Sequence, residues 1–362
     1  MKEVKLQEIC RIEKGKQIDT SQLRTDSPYK YINGGIKVSG YYHEYNTDSE
    51  AVLVSEGGAS CGYVNYVNEK FWCGCHCYKL TESKTLAKYL YYALKGNQDK
   101  IMELRSGAAM PNIKKDAFKN MSLLVDFDKN DQQAIVETLD CIQKAINNKT
   151  DELLSLDELV KSRFIEMFGN YFEDKSRLVK ISSLATSSIG LTYKPENVSE
   201  EGTIVLRSGN IQNAELYLEK DIVRVSNVKI KDDKYVREND ILMCSRNGSA
   251  KLVGKCCRIP KLEEPMTYGA FMTVIRSDYP YFLNGFFNSA YFVQQLTGTQ
   301  TASVNQITTG MLNNYDVIRP TKDEENEFAE FVKLIDKSKF IVQQQIKDLQ
   351  ELLDSKMDEY FR

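Results

Sequence analysis

The sequence predicts an α+β protein made of two mixed α/β domains that alternate with two long helices, and three observations carry that prediction. The first is an internal repeat. An offset of 193 pairs Asn112 with Asn305, Leu90 with Leu283, Ala109 with Ala302, Asn120 with Asn313 and Ile142 with Ile335. It also lays Ser162-Arg163-Phe164-Ile165-Glu166-Met167-Phe168 on Ser355-Lys356-Met357-Asp358-Glu359-Tyr360-Phe361. The second observation is a pair of long apolar stripes with helical spacing. The third is that the other segments hold short β-branched runs punctuated by Gly-bearing turns.

Taken in order, residues 1–128 read as a first domain. Ala51-Val52-Leu53-Val54 and Tyr63–Val67 have strand character, and Asn33-Gly34-Gly35 and Glu56-Gly57-Gly58 mark turns. A shorter helical piece covers Leu86 to Leu94. Residues 129–170 read as a helix. Its stripe is Ile135, Leu139, Ile142, Ile146, Leu153, Leu156, Val160 and Met167, with Lys149 and Arg163 in two seam positions. Gly169-Asn170 predicts its end, which gives a helix of roughly 38 residues, about 55 Å long.

Residues 171–320 repeat the mixed pattern. Thr203–Leu206 and Ile241-Leu242-Met243-Cys244 read as strands, Arg246-Asn247-Gly248 as a turn and Tyr281–Leu296 as helical. Residues 321–362 form the second long helix, begun by Pro320-Thr321. Its stripe is Phe328, Phe331, Ile335, Val342, Ile346, Leu349, Leu353, Met357 and Tyr360. Two such stripes in a duplicated chain most simply pack as an antiparallel coiled-coil pair with an internal pseudo-two-fold. The expected seam sets Leu139, Ile142, Leu156 and Val160 against Val342, Ile346, Leu349 and Leu353.

Composition narrows the class. Apolar content of 42% and charged content of 27% are those of a globular protein with ordinary cores. The absence of an eighteen-residue apolar run, and of a leader after Met1, predicts a cytoplasmic chain with no membrane partner. In that setting the nine cysteines stay reduced rather than forming a disulfide framework. A net charge of −3 seems to argue against nucleic acid, but the acidity is concentrated in the helices. Residues 129–170 carry five basic and eight acidic side chains, and residues 321–362 carry seven and eleven. Residues 202–259 carry eleven basic and seven acidic ones, a local positive excess of the kind phosphate contact needs.

Cys73-Gly74-Cys75-His76-Cys77 invites a metal reading, but a zinc site needs a second ligand pair at matching spacing. Alternation along a strand, which would place residues 73, 75 and 77 on one buried face, is the simpler expectation. Phosphate-loop and dinucleotide glycine patterns are missing, as is the Pro-Pro-aromatic run of amino-methyltransferases. Glu82-Ser83-Lys84 is too short a nuclease match to use, and His43 and His76 are the only histidines. The expectation is no catalytic residue, no metal and no cofactor.

Two loop clusters suit nucleic acid. One joins Leu206-Arg207-Ser208-Gly209-Asn210-Ile211-Gln212 to Ser245-Arg246-Asn247-Gly248-Ser249-Ala250-Lys251. Arg, Asn and Gln read base edges through paired hydrogen bonds, while Gly, Ser and Lys suit close phosphate approach. The other is Thr297–Gln306, whose first-copy counterpart is Arg105–Asn112. The candidate DNA contacts are Arg207, Asn210, Arg246, Asn247, Lys251, Asn305 and Gln306 in the second domain. In the first they are Lys14, Lys16, Asn33, Tyr41, Ser60, Arg105 and Asn112.

These stretches, in this order, resemble the specificity subunit of type I restriction-modification systems. In the first copy the likeness lies in Tyr31-Ile32-Asn33-Gly34-Gly35 through Ser39-Gly40-Tyr41, Gly57-Gly58-Ala59-Ser60 and Lys70-Phe71-Trp72. In the second it lies in Leu206–Ile211, Asn239-Asp240-Ile241-Leu242, Asn247-Gly248-Ser249 and Asn305-Gln306-Ile307-Thr308. The helix entrance keeps the family pattern at Asp131-Gln132-Gln133 and departs from it at Glu325-Asn326-Glu327. The resemblance implies two target recognition domains held apart by the helices. It also implies a non-catalytic subunit that binds a bipartite duplex DNA target, two methyltransferase subunits and, in a full complex, restriction subunits. The equivalent helix ends make Phe168 and Phe361 candidates for docking those methyltransferases. Helices about 55 Å long would span roughly 15 base pairs at about 3.4 Å each. A coiled-coil scaffold with two protein-binding domains is the alternative reading.

Overall fold

The computed structural model describes residues 1–107, 110–299 and 306–362. They divide into two compact units, Met1–Asp151 with Gln343–Arg362, and Glu152–Val342. The expected four-part division at residues 128, 170 and 320 is therefore corrected. Each long helix contributes to both units instead of standing as a domain of its own, because each half of a stripe is buried by the sheet-bearing part beside it.

In the first unit a four-stranded sheet is ordered Arg11–Lys14, Cys77–Thr81, Ala51–Ser55, Val64–Val67, all antiparallel. A three-stranded sheet is ordered Gly40–Tyr42, Tyr29–Ile32, Phe71–Cys73, with its last pair parallel. Lys2–Lys5 pairs with Ser122–Val125 in a small separate ribbon. All five residues of Ala51–Ser55 are buried, and four of them, Ala51–Val54, form an unbroken apolar run.

In the second unit the four-stranded sheet is ordered Ala185–Ile189, Met272–Ser277, Ile241–Cys244, Cys256–Arg258, again antiparallel. Thr203–Leu206 runs parallel to Met266–Tyr268, and Leu178–Lys180 pairs with Asp316–Ile318. The strand order of the first unit thus recurs in the second.

The first long helix spans Lys129–Asp174 and the second Lys322–Phe361. Asp128 caps the first by accepting from the Asn130 amide at 2.8 Å. Thr321, 193 residues on, caps the second in a reciprocal box with Glu324. Glu324 N donates to Thr321 Oγ1 at 3.2 Å and Thr321 N to Glu324 Oε2 at 2.7 Å. Arg177 then grips Glu324 through both terminal nitrogens, at 2.8 and 2.6 Å, and holds its carboxyl down at about 2.

Gly169-Asn170 does not end the first helix. Residue 169 packs against Tyr291, whose hydroxyl would lie 3.3 Å from a Cβ there, so glycine serves close approach instead of termination. Phe172 is stacked on Tyr291 at 4.3 Å, and that burial carries the helix on to Asp174.

Within the second unit the helical segments are tied by Arg163 to Glu327 and by Lys339 to Asp157, the latter at 2.6 Å. As one helix is followed forward the other is followed backward. Val160 joins the core of Phe164, Phe168, Phe328 and Val332, with Leu156 half-buried and Val342 buried. In the first unit Leu139 and Ile142 share a core with Ile346, Leu349 and Leu353.

Cys73, Cys75 and Cys77 are not consecutive positions on one strand. Cys73 ends one strand and Cys77 begins another in a different sheet, and residues 74–76 form the turn. The chain must leave the parallel pair to reach the antiparallel sheet, which rules out a straight strand.

Candidate nucleic-acid interface

In the second unit three loops meet beyond the end of the four-stranded sheet where Cys244 pairs with Met272. Ser245 and Arg246 follow that strand, and their amides donate to the Phe271 carbonyl at 3.0 and 3.1 Å. Arg246 also bridges to Gln306, while the Ile307 amide donates to the Ser245 carbonyl at 2.7 Å. Asn247 Nδ2 donates to Ser208 Oγ at 3.2 Å, which fastens this loop to the one beginning at Arg207. The structure therefore brings Arg207, Arg246, Asn247 and Gln306 into one neighbourhood from strands far apart in sequence. Lys251 lies exposed on the short helical turn Ala250–Leu252 of the same loop.

Their availability differs. Arg246 is exposed and its guanidinium lies 5.4 Å from the centre of the Phe271 ring, an arrangement that restrains the arginine without consuming its hydrogen-bond donors. Arg207 is exposed and spends one donor on the Asp221 carbonyl at 3.0 Å. Asn247 uses its oxygen as well, accepting from the Ser249 amide at 3.0 Å. A cleft of about 390 Å³ beside these loops is lined by Ser208, Gly209, Gln212, Asn213, Asp221 and Lys255, with Leu252 at its side.

Asn210 is a correction. It is 1% exposed, accepts from the Arg207 amide at 2.9 Å and donates to the Tyr217 carbonyl at 3.2 Å. Its amide satisfies buried backbone groups of its own loop and is closed to a base. Asn305 lies outside the described residues, as does most of the 297–306 stretch.

The first unit builds a similar corner on a hairpin. Arg105–Ser106 pairs with Asn112–Ile113, and Asn112 bridges to Gly57 just past the buried strand. Arg105 is exposed, with its guanidinium on the Cys61 carbonyl. Ser60 Oγ donates to the Gly34 carbonyl, and Asn33 Oδ1 accepts from the His76 amide at 3.1 Å. Those two side chains hold the turns together, so the hydroxyl proton of Ser60 and one lone pair of Asn33 are already used. Lys14 forms an ion pair with Glu56 at 2.6 Å. Lys16 is exposed one strand-end away, its carbonyl taken by Trp72 Nε1 at 2.8 Å. Tyr41 sits on the three-stranded sheet opposite Lys30, 37% exposed.

Sequence reading missed Glu56 and Phe271. Glu56 is buried under the hairpin, where it meets Lys14 and the Tyr78 hydroxyl, and nothing in Ser55-Glu56-Gly57 distinguishes it from an exposed turn acid. Phe271 is 59% exposed among polar loops, and an isolated Phe in a strand-rich segment reads as core. Four buried thiols are held in the protonated form: burial pushes Cys10 and Cys257 up to about 12 and raises Cys244 and Cys256.

Phe168 and Phe361 are also corrected. Phe168 is wholly buried, its ring 4.9 Å from Phe282 and 5.1 Å from Phe164. Phe361 is 1% exposed and packs on Tyr89 at 5.4 Å and beside Gly96. Each ring is plugged into the core of its own unit and is left for no partner.

Residues 1–156 match the family model described as the type I restriction modification DNA specificity domain. Over that stretch the chain is similar to the specificity subunits of type I systems. It is 28% identical over 236 residues to a putative type I specificity subunit of Mycoplasma genitalium, covering 59% of this chain and 60% of that one. A putative type I specificity subunit of Mycoplasma pneumoniae is 31% identical over 159 residues, covering 43% and 42%. The matches thus span about half the length of these family members. The fold is similar to the crystal structure of a type I restriction-modification S subunit from M. genitalium. That likeness has a TM-score of 0.58 at 19% identity and covers 100% of this chain and 96% of that one. Among the described residues no helix is long and apolar enough to cross a membrane.

Proposed function

We propose that this chain is the DNA-reading subunit of a type I restriction-modification complex, each unit reading one half of a bipartite duplex target. The observation that carries this reading is the recurrence, in both units, of a polar loop cluster beyond the same end of the four-stranded sheet. One cluster is anchored by the Gly57–Asn112 bridge and the other by the Arg246–Gln306 bridge. Arg207, Arg246 and Lys251 supply cationic contacts in the second unit, as Lys16 and Arg105 do in the first. The two long helices serve as an antiparallel coiled-coil ruler with pseudo-two-fold symmetry, and the step between half-sites follows from their length.

In this reading the chain is non-catalytic and cytoplasmic. It binds no cofactor itself, and methylation and cleavage belong to two recruited methyltransferase subunits and to restriction subunits. With Phe168 and Phe361 committed to cores, docking is assigned here to apolar side chains that the long helices leave in solvent, among them Leu334, Phe340 and Ile341 on the second. The test is selection of duplexes from a randomised pool by the full chain. Enrichment of two short motifs at a fixed separation supports the reading, and one contiguous motif or none overturns it.

A further inference from the structure

Cys73-Gly74-Cys75-His76-Cys77 finds its counterpart not at the repeat offset of 193 but in Tyr268-Gly269-Ala270-Phe271-Met272, two residues further on. The Gly74 amide donates to the Ile32 carbonyl at 2.8 Å, and the Gly269 amide to the Leu206 carbonyl at 3.0 Å. Cys77 pairs with Ser55 and Met272 with Cys244, each at the end of the buried strand. A glycine crosses each turn where a Cβ would collide with carbonyls: Gly15 over Cys73 and Gly74, Gly190 over Tyr268 and Gly269. These contacts make His76 and Phe271 the same position in the two units.

Both side chains are exposed, and both backbones are pinned. The His76 carbonyl accepts from the Glu56 amide at 2.8 Å, and its amide donates to Asn33. The Phe271 carbonyl takes the Ser245 and Arg246 amides and also the Ser245 hydroxyl at 3.1 Å. A planar ring on a rigid mount, held in solvent among cationic and amide side chains, gains little by folding. Its exposed face suits a flat apolar surface such as a base or a thymine methyl.

We infer that His76 and Phe271 are equivalent specificity-determining residues, each placing a ring against a base in the half-site its unit reads. Arg246, lying over the Phe271 ring, is positioned by it. The inference rests on the proposed DNA-reading function and adds which residues carry the discrimination. The Phe271 ring has no charge to place on a phosphate, so its loss should cost selectivity and spare non-specific binding.

The test is selection from a duplex pool with a randomised core by the full chain, in wild-type form and as Phe271→Ala, His76→Ala, Phe271→His and His76→Phe. Phe271→Ala should flatten the preference in one half-site only and weaken the best wild-type duplex on the order of tenfold. His76→Ala should flatten the preference in the other half-site only, and Phe271→Ala should leave affinity for the unselected pool unchanged. The two exchange variants keep a ring on an unchanged mount and should alter preference at the same positions. Wild-type preferences in both alanine variants, or equal weakening on selected and unselected DNA, would overturn the inference. A wild-type pool that enriches no sequence would instead reject DNA reading itself, and this inference with it.

Discussion

Gln132 and Glu325, 193 residues apart, each turn a buried side-chain oxygen onto the first amides of a helix in their own unit. Gln132 Oε1 accepts from the Leu86 amide at 2.8 Å, at the start of the helix Ala87–Gly96. Glu325 accepts from the Tyr281 and Phe282 amides at 3.0 and 2.9 Å, at the start of the helix Pro280–Phe287. The departure from the family pattern at residue 325 thus keeps the geometry and changes the charge. Both positions satisfy helix-terminal donors that have no partner within their helix.

That difference makes the second unit sensitive to pH. Burial pushes the Glu325 carboxyl up to about 7 from an ordinary 4.5, against the opposing pull of the two amides. The folded form therefore holds the proton more tightly than the unfolded one. The associated stability is full below about pH 4.5 and is lost as pH rises through about 7, a swing on the order of 3 kcal/mol. Urea unfolding of wild type and Glu325→Gln across pH 4.5–8 checks this. The stability difference between the two should vary with pH over that window, and a constant difference would show that Glu325 does not titrate there.

Lys339 is buried in the second unit between Asp157, at 2.6 Å, and Glu215. Replacing it with methionine keeps the bulk and leaves two carboxylates without their shared cation. The expected loss is about 1–3 kcal/mol, because both carboxylates stay partly in solvent. Adding Asp157→Asn should recover part of it in a double-mutant comparison by chemical denaturation.

Phe168→Ala and Phe361→Ala should each cost about 3–5 kcal/mol of stability, because each empties a closed aromatic cluster. Denaturation midpoints measure this. A variant that unfolds like wild type but binds less methyltransferase would restore the docking role that burial argues against.

Arg246→Ala should cost about 1–3 kcal/mol on the preferred duplex and relax specificity in one half-site. Lys251→Ala should weaken all sequences alike and lower the salt-dependence slope by about 1, the signature of a phosphate contact. Binding titrations at several salt concentrations separate the two behaviours.

Inserting one heptad into the solvent-facing stretch of the first long helix lengthens it by about 10 Å, or roughly 3 base pairs. A compensating heptad in the second helix keeps the stripes in step. Methylation mapping of host DNA should then show unchanged half-sites and a longer unread spacer. Altered half-sites with the spacer preserved would dismiss the ruler.

The sequence by itself determined the two long helices, the entry of the second at Pro320-Thr321, and strands such as Ala51–Ser55. Each of these is written in the spacing of near neighbours, so periodicity and turn chemistry reveal it. The family resemblance followed from the order of those pieces. Which loop side chains face outward was decided only by the tertiary structure. Asn210 and Arg207 stand three residues apart in one polar loop, yet one is sealed against the Tyr217 carbonyl and the other is exposed. The same holds for Phe168 and Phe271: a ring at a helix end is buried by segments more than a hundred residues away, and a ring between two strands is left in solvent. Burial is a sum over contacts made by distant chain segments, and no local pattern around either phenylalanine records which segments those are.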